Sequence, residues 1–292
     1  MSRHTLAPAL ALLAAAGCGP GAAPAKPQVV ATVYPLWEFS RQVAGARADA
    51  VALVPPGVEP HDWEPSPRDV ALVQRASVFV HSGTGLDAWS QKLLAGGASR
   101  SVVVDASRGL DLIRSGGVTD PHVWLDPTLA RAQVQAIEAG LAQADPAGRE
   151  TYAANARAYL ARLDALDRAF GTGLRDCARR DVVTAHAAFG YLARRYRLTQ
   201  LAVTGLSPEG EPNPADMAAL VKRARELKVT HVFFEPLVSP RIAETLGREI
   251  GAQPLTLNPV EGLTASDREA GLGYIELMQA NLANLRTALG CR

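Results

Sequence analysis

The chain has 292 residues, 48% of them hydrophobic, and a formal net charge of +1. That length is enough for two modest lobes with buried cores. The near-neutral balance excludes the basic surface that nucleic-acid binding needs, and past the N-terminus no apolar run is long enough to span a bilayer.

Taken in chain order, the first element is a targeting segment. Arg3 and His4 precede the apolar stretch LAPALALLAAAG, which runs into Cys18. It is short for a transmembrane helix and has the order of a signal peptide. Ala15, Ala16 and Gly17 before Cys18 resemble a bacterial lipobox, with Ala15 where leucine is more usual. Residues 1–18 therefore read as a lipoprotein-type signal and Cys18 as its lipidation site. An ordinary cleaved signal with an incidental cysteine is the alternative. Residues 19–28, GPGAAPAKPQ, read as a flexible tether.

Strand and helix patterns then alternate. VVATVYP, VALVP, SVFVHSG and SVVVDAS are strand-like; SPRDVALVQRA, with Ser66 as N-cap, and LDAWSQKLLAG are helical. Such alternation predicts a parallel or mixed sheet covered by helices, an N-terminal α/β lobe over 29–144. Over 145–177, Tyr152, Ala156, Tyr159, Leu163, Leu166 and Phe170 recur at helical spacing. A helix of about thirty residues is roughly 45 Å long, too long for one lobe, so it should run along both. Alternation resumes over 178–292 with DVVTA, AAFGYLARRY, TQLAV, PADMAALVKRARELK, THVFFE, SPRIAETLGREIG, QPLTL and one final helix from ASDREAG onwards. The fold class is α/β: two lobes, a long bridging helix and a cleft between the lobes.

The histidines carry the chemistry. His61, in PPGVEPHDW, follows a strand; His122, in DPHVWLDP, and His186, after DVVTA, also sit in loops where strands end. In open α/β sheets ligands gather at the carboxyl ends of strands. His81 ends a strand and could reach the cleft, whereas His231 starts one and reads as structural. Three imidazoles from separate loops suit Zn²⁺. Pro60 and Pro121 restrict the backbone beside two of them, and Trp63 and Trp124 would wall the site or simply pack the core. Asn258 and Glu261, in TLNPVEGL, lie at a fourth strand end. Water, Glu59 or Glu261 is favoured over Asn258 as the fourth ligand, because zinc takes carboxylate or water oxygen far more often than amide oxygen. Cys177 and Cys291 are the remaining cysteines. Both are predicted at the end of their lobe away from the site and joined by a disulfide, as export to an oxidising compartment favours.

PPGVEPHDWEPSPRD, DPHVWLDP, HAAFGYLARRY, GLSPEGEPNPADMAAL, FFEPLVSP and TLNPVEGLT occur in an order that resembles the metal-binding subunits of bacterial zinc and manganese ABC importers. The resemblance implies an exported, membrane-anchored binding protein, not an enzyme, with its metal site in the cleft, a membrane permease and its ATPase as partners, and a monomer. By position, His61, His122 and His186 match the histidines of zinc-type members. Manganese-type members commonly carry a carboxylate where His186 stands, so Zn²⁺ is favoured over Mn²⁺. Two departures stand out: Asn258 where the family often has aspartate, and only SRGLDLIRSGGVTD where zinc-type members often have a long His-rich loop. A secreted zinc hydrolase is the competing reading; it lacks HExxH and a spaced general base. A binder of chelated metal and an adhesive role are the others.

Overall fold

The computed structural model describes residues 26–95, 101–115, 117–210 and 213–292. Cys18, the signal segment and most of the tether lie outside them. Gln28, assigned from sequence to the tether, instead pairs with Asp49 in the sheet.

The N-terminal lobe runs β1 (Gln28–Ala31), α1 (Tyr34–Ala44), β2 (Asp49–Ala52), α2 (Pro67–Arg75), β3 (Val78–His81), α3 (Trp89–Ala95) and β4 (Val102–Asp105). A two-stranded antiparallel hairpin follows, β5 (Arg114–Ser115) and β6 (Val118–Thr119), turned at Gly117 with φ +83°. Then come α4 (Pro127–Ala144) and α5 (Arg149–Gly173). The C-terminal lobe runs β7 (Asp181–Thr184), α6 (Gly190–Tyr196), β8 (Thr199–Ala202), α7 (Pro214–Glu226), β9 (His231–Phe234), α8 (Arg241–Ile250), β10 (Gln253–Thr256), α9 (Ala265–Glu269) and α10 (Tyr274–Leu289).

Both four-stranded sheets are parallel throughout, ordered β2-β1-β3-β4 and β10-β9-β7-β8. Each therefore has its first strand beside its third, with the second and fourth at the edges. The two halves share this topology although their sequences show no repeat. In each sheet the crossovers leave in opposite directions between the first and third strands, the place where open α/β sheets gather their ligands.

Helix starts follow their capping residues. Ser66 and Asp69 close a capping box on α2, Asn213 caps α7 through Ala215 N, and Asp126 caps α4 through Thr128 N. The linking helix α5 spans 25 residues, about 37 Å. Its buried stripe is Tyr152, Ala156, Tyr159, Leu163, Leu166 and Phe170, as the spacing predicts. It is shorter than the expected 145–177 because Pro146–Gly148 form a separate 3-10 turn and Gly173 ends it. The expected single C-terminal helix is two, broken where Gly271 takes φ +65°.

One apolar cluster runs from Val29 and Phe39 through Tyr159, Leu163 and Phe170 to Phe233 and Leu257. The lobes thus share a core through α5, and parting them would expose it. Smaller clusters lie under the outer helices, around Val232 and Leu246 in one lobe and Val30 and Phe79 in the other. Cys177 and Cys291 are disulfide-linked across 114 residues, beside the amino end of β7. Among the described residues no helix is long and apolar enough to cross a membrane.

Candidate metal centre

Four side chains converge from four loops. His61 comes from the loop after β2, His122 from the segment between β6 and α4, His186 two residues past β7, and Glu261 from the loop after β10. One ligand atom from each lies within 4.8 Å of every other. Two come from each lobe, so the group closes the cleft.

The spacing can be tested against chemistry. Zinc–nitrogen and zinc–oxygen bonds of about 2.0–2.1 Å in a tetrahedron put neighbouring ligand atoms roughly 3.3 Å apart. The observed separations scatter about that value. His122 Nε2 and His186 Nε2 are 3.4 Å apart. Glu261 Oε1 lies 2.8 Å from His122 Nε2, 3.1 Å from His61 Nε2 and 3.8 Å from His186 Nε2. All three imidazoles offer Nε2 to one point.

Carboxylates stand behind two of them. Asp120 Oδ1 lies 2.8 Å from His122 Nδ1 and also accepts the His122 backbone N–H at 3.0 Å. Glu235, one residue past β9, accepts the His186 N–H at 3.2 Å. Its other oxygen sits 2.6 Å from His186 Nδ1, though off the line a hydrogen bond needs. Such partners fix the tautomer and raise ligand basicity. Neither was singled out from the sequence. The DPH order of Asp120 and His122, and the position of Glu235 at a strand end in FFEP, are the signals that could have found them. Asp120→Asn and Glu235→Gln are each expected to weaken zinc binding by about 10- to 100-fold in a competition titration.

The remaining sequence candidates separate cleanly. Glu59 is not among the four; its Oε2 accepts the His61 backbone N–H at 3.0 Å and braces that loop. Burial, then the charge of Glu261, pushes its carboxyl up to about 7. Asn258 is not among them either. Its Oδ1 accepts the Val260 N–H at 2.8 Å, while Asn281 on α10 pairs with both its backbone groups. This holds Val260 at φ +58°, a costly conformation for a β-branched residue, and delivers Glu261 to the site. His81 is buried and stacks on Phe79, apart from the group of four. His231 sits at the start of β9, with Nδ1 2.9 Å from Thr230 Oγ1.

The two tryptophans part company. Trp124 packs edge-on to the His122 ring at 5.6 Å, and its Nε1 donates to Pro259 O at 2.7 Å. Tyr274 in turn donates to Trp124 O at 2.5 Å. Trp124 therefore joins the loop of His122 to the loop of Glu261. Trp63 packs edge-on against Trp89 and lies against both the main core and the smaller cluster of its lobe.

The family described as zinc-uptake complex component A, periplasmic (ZnuA), matches residues 29–288. The chain belongs to this family. It is 38% identical over 282 residues to the high-affinity zinc uptake system protein ZnuA of Bacillus subtilis, covering 90% of this chain and 88% of that one. It is 38% identical over 277 residues to the zinc-binding lipoprotein AdcA of Streptococcus pneumoniae, covering 89% of this chain but 55% of that longer protein. The crystal structure of the Zn(II)-bound ZnuA-like domain of the same AdcA superposes with a TM-score of 0.82 at 39% identity, covering 91% of this chain and 99% of that one. The two-lobed architecture with its linking helix is the family's fold.

Proposed function

We propose that this member of the ZnuA family captures Zn²⁺ outside the cytoplasmic membrane and passes it to the permease of an ABC importer driven by its ATPase. The observation that carries this reading is the near-tetrahedral set of His61, His122, His186 and Glu261. Three imidazoles favour zinc over manganese, which prefers harder oxygen ligands. The single carboxylate removes one unit of the ion's charge. A full set of four protein ligands also argues for a carrier over a hydrolase, because catalytic zinc keeps an open position for water. Cys18 is the proposed lipid anchor, and the chain acts as a monomer tethered to the membrane face. The shared core along α5 supports small openings made by loop movement in preference to a wide hinge. Metal analysis with competition titration tests the proposal: one Zn²⁺ per chain, bound far more tightly than Mn²⁺, is expected, and a preference for Mn²⁺ would overturn it.

Proton competition gives this site a pH signature. Burial pushes the His122 imidazole down, but Asp120 and Glu261 hydrogen-bond and attract its charged form, and together they raise it from 6.5 to about 9. Burial likewise works against the Glu261 carboxylate, yet His122 and His61 hold it far below the usual range. In the metal-free protein at neutral pH the site therefore holds a buried imidazolium–carboxylate pair. Zinc must displace the His122 proton. Zinc affinity should rise about tenfold per pH unit towards pH 9 and flatten above it. Stability of the metal-free protein should move the other way. A folded-state pKa raised above 6.5 stabilises fully below 6.5, and that contribution is lost as pH rises through about 9. Melting curves and zinc titrations across pH 6–10 should show these opposite trends.

A further inference from the structure

We propose that the far end of the C-terminal lobe carries a second binding site, for a phosphate-type oxyanion. A cavity of about 320 Å³ there is lined by Arg175, Arg180, Arg195 and Arg197, with Phe170 and Tyr196 among its walls. Arg180 immediately precedes β7, and Arg197 lies two residues before β8. The cavity thus lies at the amino ends of these strands, while His186 and the metal centre lie past the carboxyl end of β7. None of its lining residues belongs to the metal centre.

Arginines also gather where helices end, so that explanation must be weighed. The carboxyl ends of α5 and α6 both meet here, and each carries about half a negative charge. Asp167, which takes Arg195 Nε and one terminal nitrogen at 3.0 and 2.7 Å, adds one charge, and Asp176, 3.4 Å from Arg175, adds another. Four guanidiniums exceed these together by about one unit of charge. The excess can be located. Arg180 donates only to neutral carbonyls, Leu174 O at 2.7 Å and Arg175 O at 2.6 Å. Arg197 makes no side-chain hydrogen bond or ion pair among the described residues. It also occupies the left-handed position that closes α6, at φ 57° and ψ 45°, where glycine is the usual residue.

The arrangement suits an oxyanion rather than a diffuse counterion. Arg180 and Arg195 are already held in place by two hydrogen bonds each, so little side-chain entropy remains to be lost on binding. Arg175 and Arg197 are exposed, Arg175 holding only the long contact to Asp176, and both can close over a guest. Phe170 and Tyr196 stack at 5.1 Å beneath them, an apolar floor that strengthens charge pairing by excluding water. Guanidinium forks match the oxygens of a phosphate bidentately. The phosphate could belong to a soluble ion or to an anionic phospholipid headgroup, since the chain is proposed to live beside a membrane.

The test uses the zinc-loaded protein and inorganic phosphate. Calorimetric or NMR titration should show saturable one-site binding that weakens with added salt. Arg197→Gln and Arg175→Gln should each weaken phosphate about tenfold while leaving zinc affinity unchanged; both side chains are exposed, and Arg197 closes α6 through its backbone alone, a role glutamine can keep, so folding is not at stake. Cosedimentation with phosphatidylglycerol-containing vesicles, against phosphatidylcholine alone, separates the sources. Vesicle binding that is competed by phosphate and lost in Arg197→Gln assigns the site to a headgroup. Phosphate binding without vesicle binding assigns it to the soluble ion. Absence of saturable phosphate binding, or binding untouched by both substitutions, overturns the proposal.

Discussion

Replacing His61, His122 or His186 by alanine should lower zinc affinity by on the order of a hundred- to a thousandfold in each case. Structural zinc sites of four ligands bind with about 10–16 kcal/mol, so one ligand carries roughly 2.5–4 kcal/mol, and each 1.4 kcal/mol is a factor of ten. Glu261→Gln keeps an oxygen in nearly the same place but removes the only anionic ligand of the four, and it should cost at least as much. It should also weaken the pH dependence, because His122 then loses one of the two carboxylates that raise its pKa. Glu59→Gln should cost far less, since Glu59 reaches only a backbone N–H of the site. His81→Ala and His231→Ala should leave affinity intact. Thermal unfolding gives a second readout: zinc at a thousand times its dissociation constant stabilises the folded state by about 4 kcal/mol, and variants that bind poorly lose that gain. Two of the three histidine variants retaining full affinity would contradict the assignment of these side chains as ligands.

The legible and illegible parts of this site differ for a physical reason. Strand alternation and the helical spacing of Tyr152 to Phe170 follow from burial on one face, which leaves a periodic trace in sequence. The histidines stand out in the sequence because each falls where a strand ends, and strand ends of one sheet share a side. For the fourth position, sequence favours water, Glu59 or Glu261 over Asn258 but does not choose among those three. Choosing among them depends on where the 257–263 loop turns. That is decided by Asn281, more than twenty residues away on another helix, which no local pattern connects to Asn258. Asp120 and Glu235 were missed for a related reason. A carboxylate behind an imidazole looks in sequence like any other loop acid. The helix α4 has a regular Asp126 cap and Pro127 start that do signal it in sequence, whereas the break between α9 and α10 is hidden because glycine inside a helical pattern is often tolerated.

Removing the disulfide with Cys177→Ser and Cys291→Ser should lower stability by about 4–5 kcal/mol, the chain-entropy value for a closed loop of about a hundred residues. For a chain of this size that corresponds to a fall in melting temperature of roughly 10 °C. The effect should arise mainly in the unfolded state. In the folded chain the end of α10 has other attachments: Arg179 N donates to Leu289 O at 3.0 Å, Arg292 N to Asp176 O at 3.0 Å, and Arg179 Nε to Ala288 O at 3.1 Å. These should hold the helix in place without the covalent link. Zinc affinity then provides the discriminating measurement. Asn281, the α10 residue that sets the Glu261 loop, lies ten residues before Cys291 and is buried. Its bonds to Asn258 should survive, so the double variant should bind zinc within about threefold of the parent while melting earlier. Measuring both on one preparation separates the two outcomes. If affinity collapses with stability, the cross-link positions the site through α10; if neither changes, the cysteines are not paired in the folded protein.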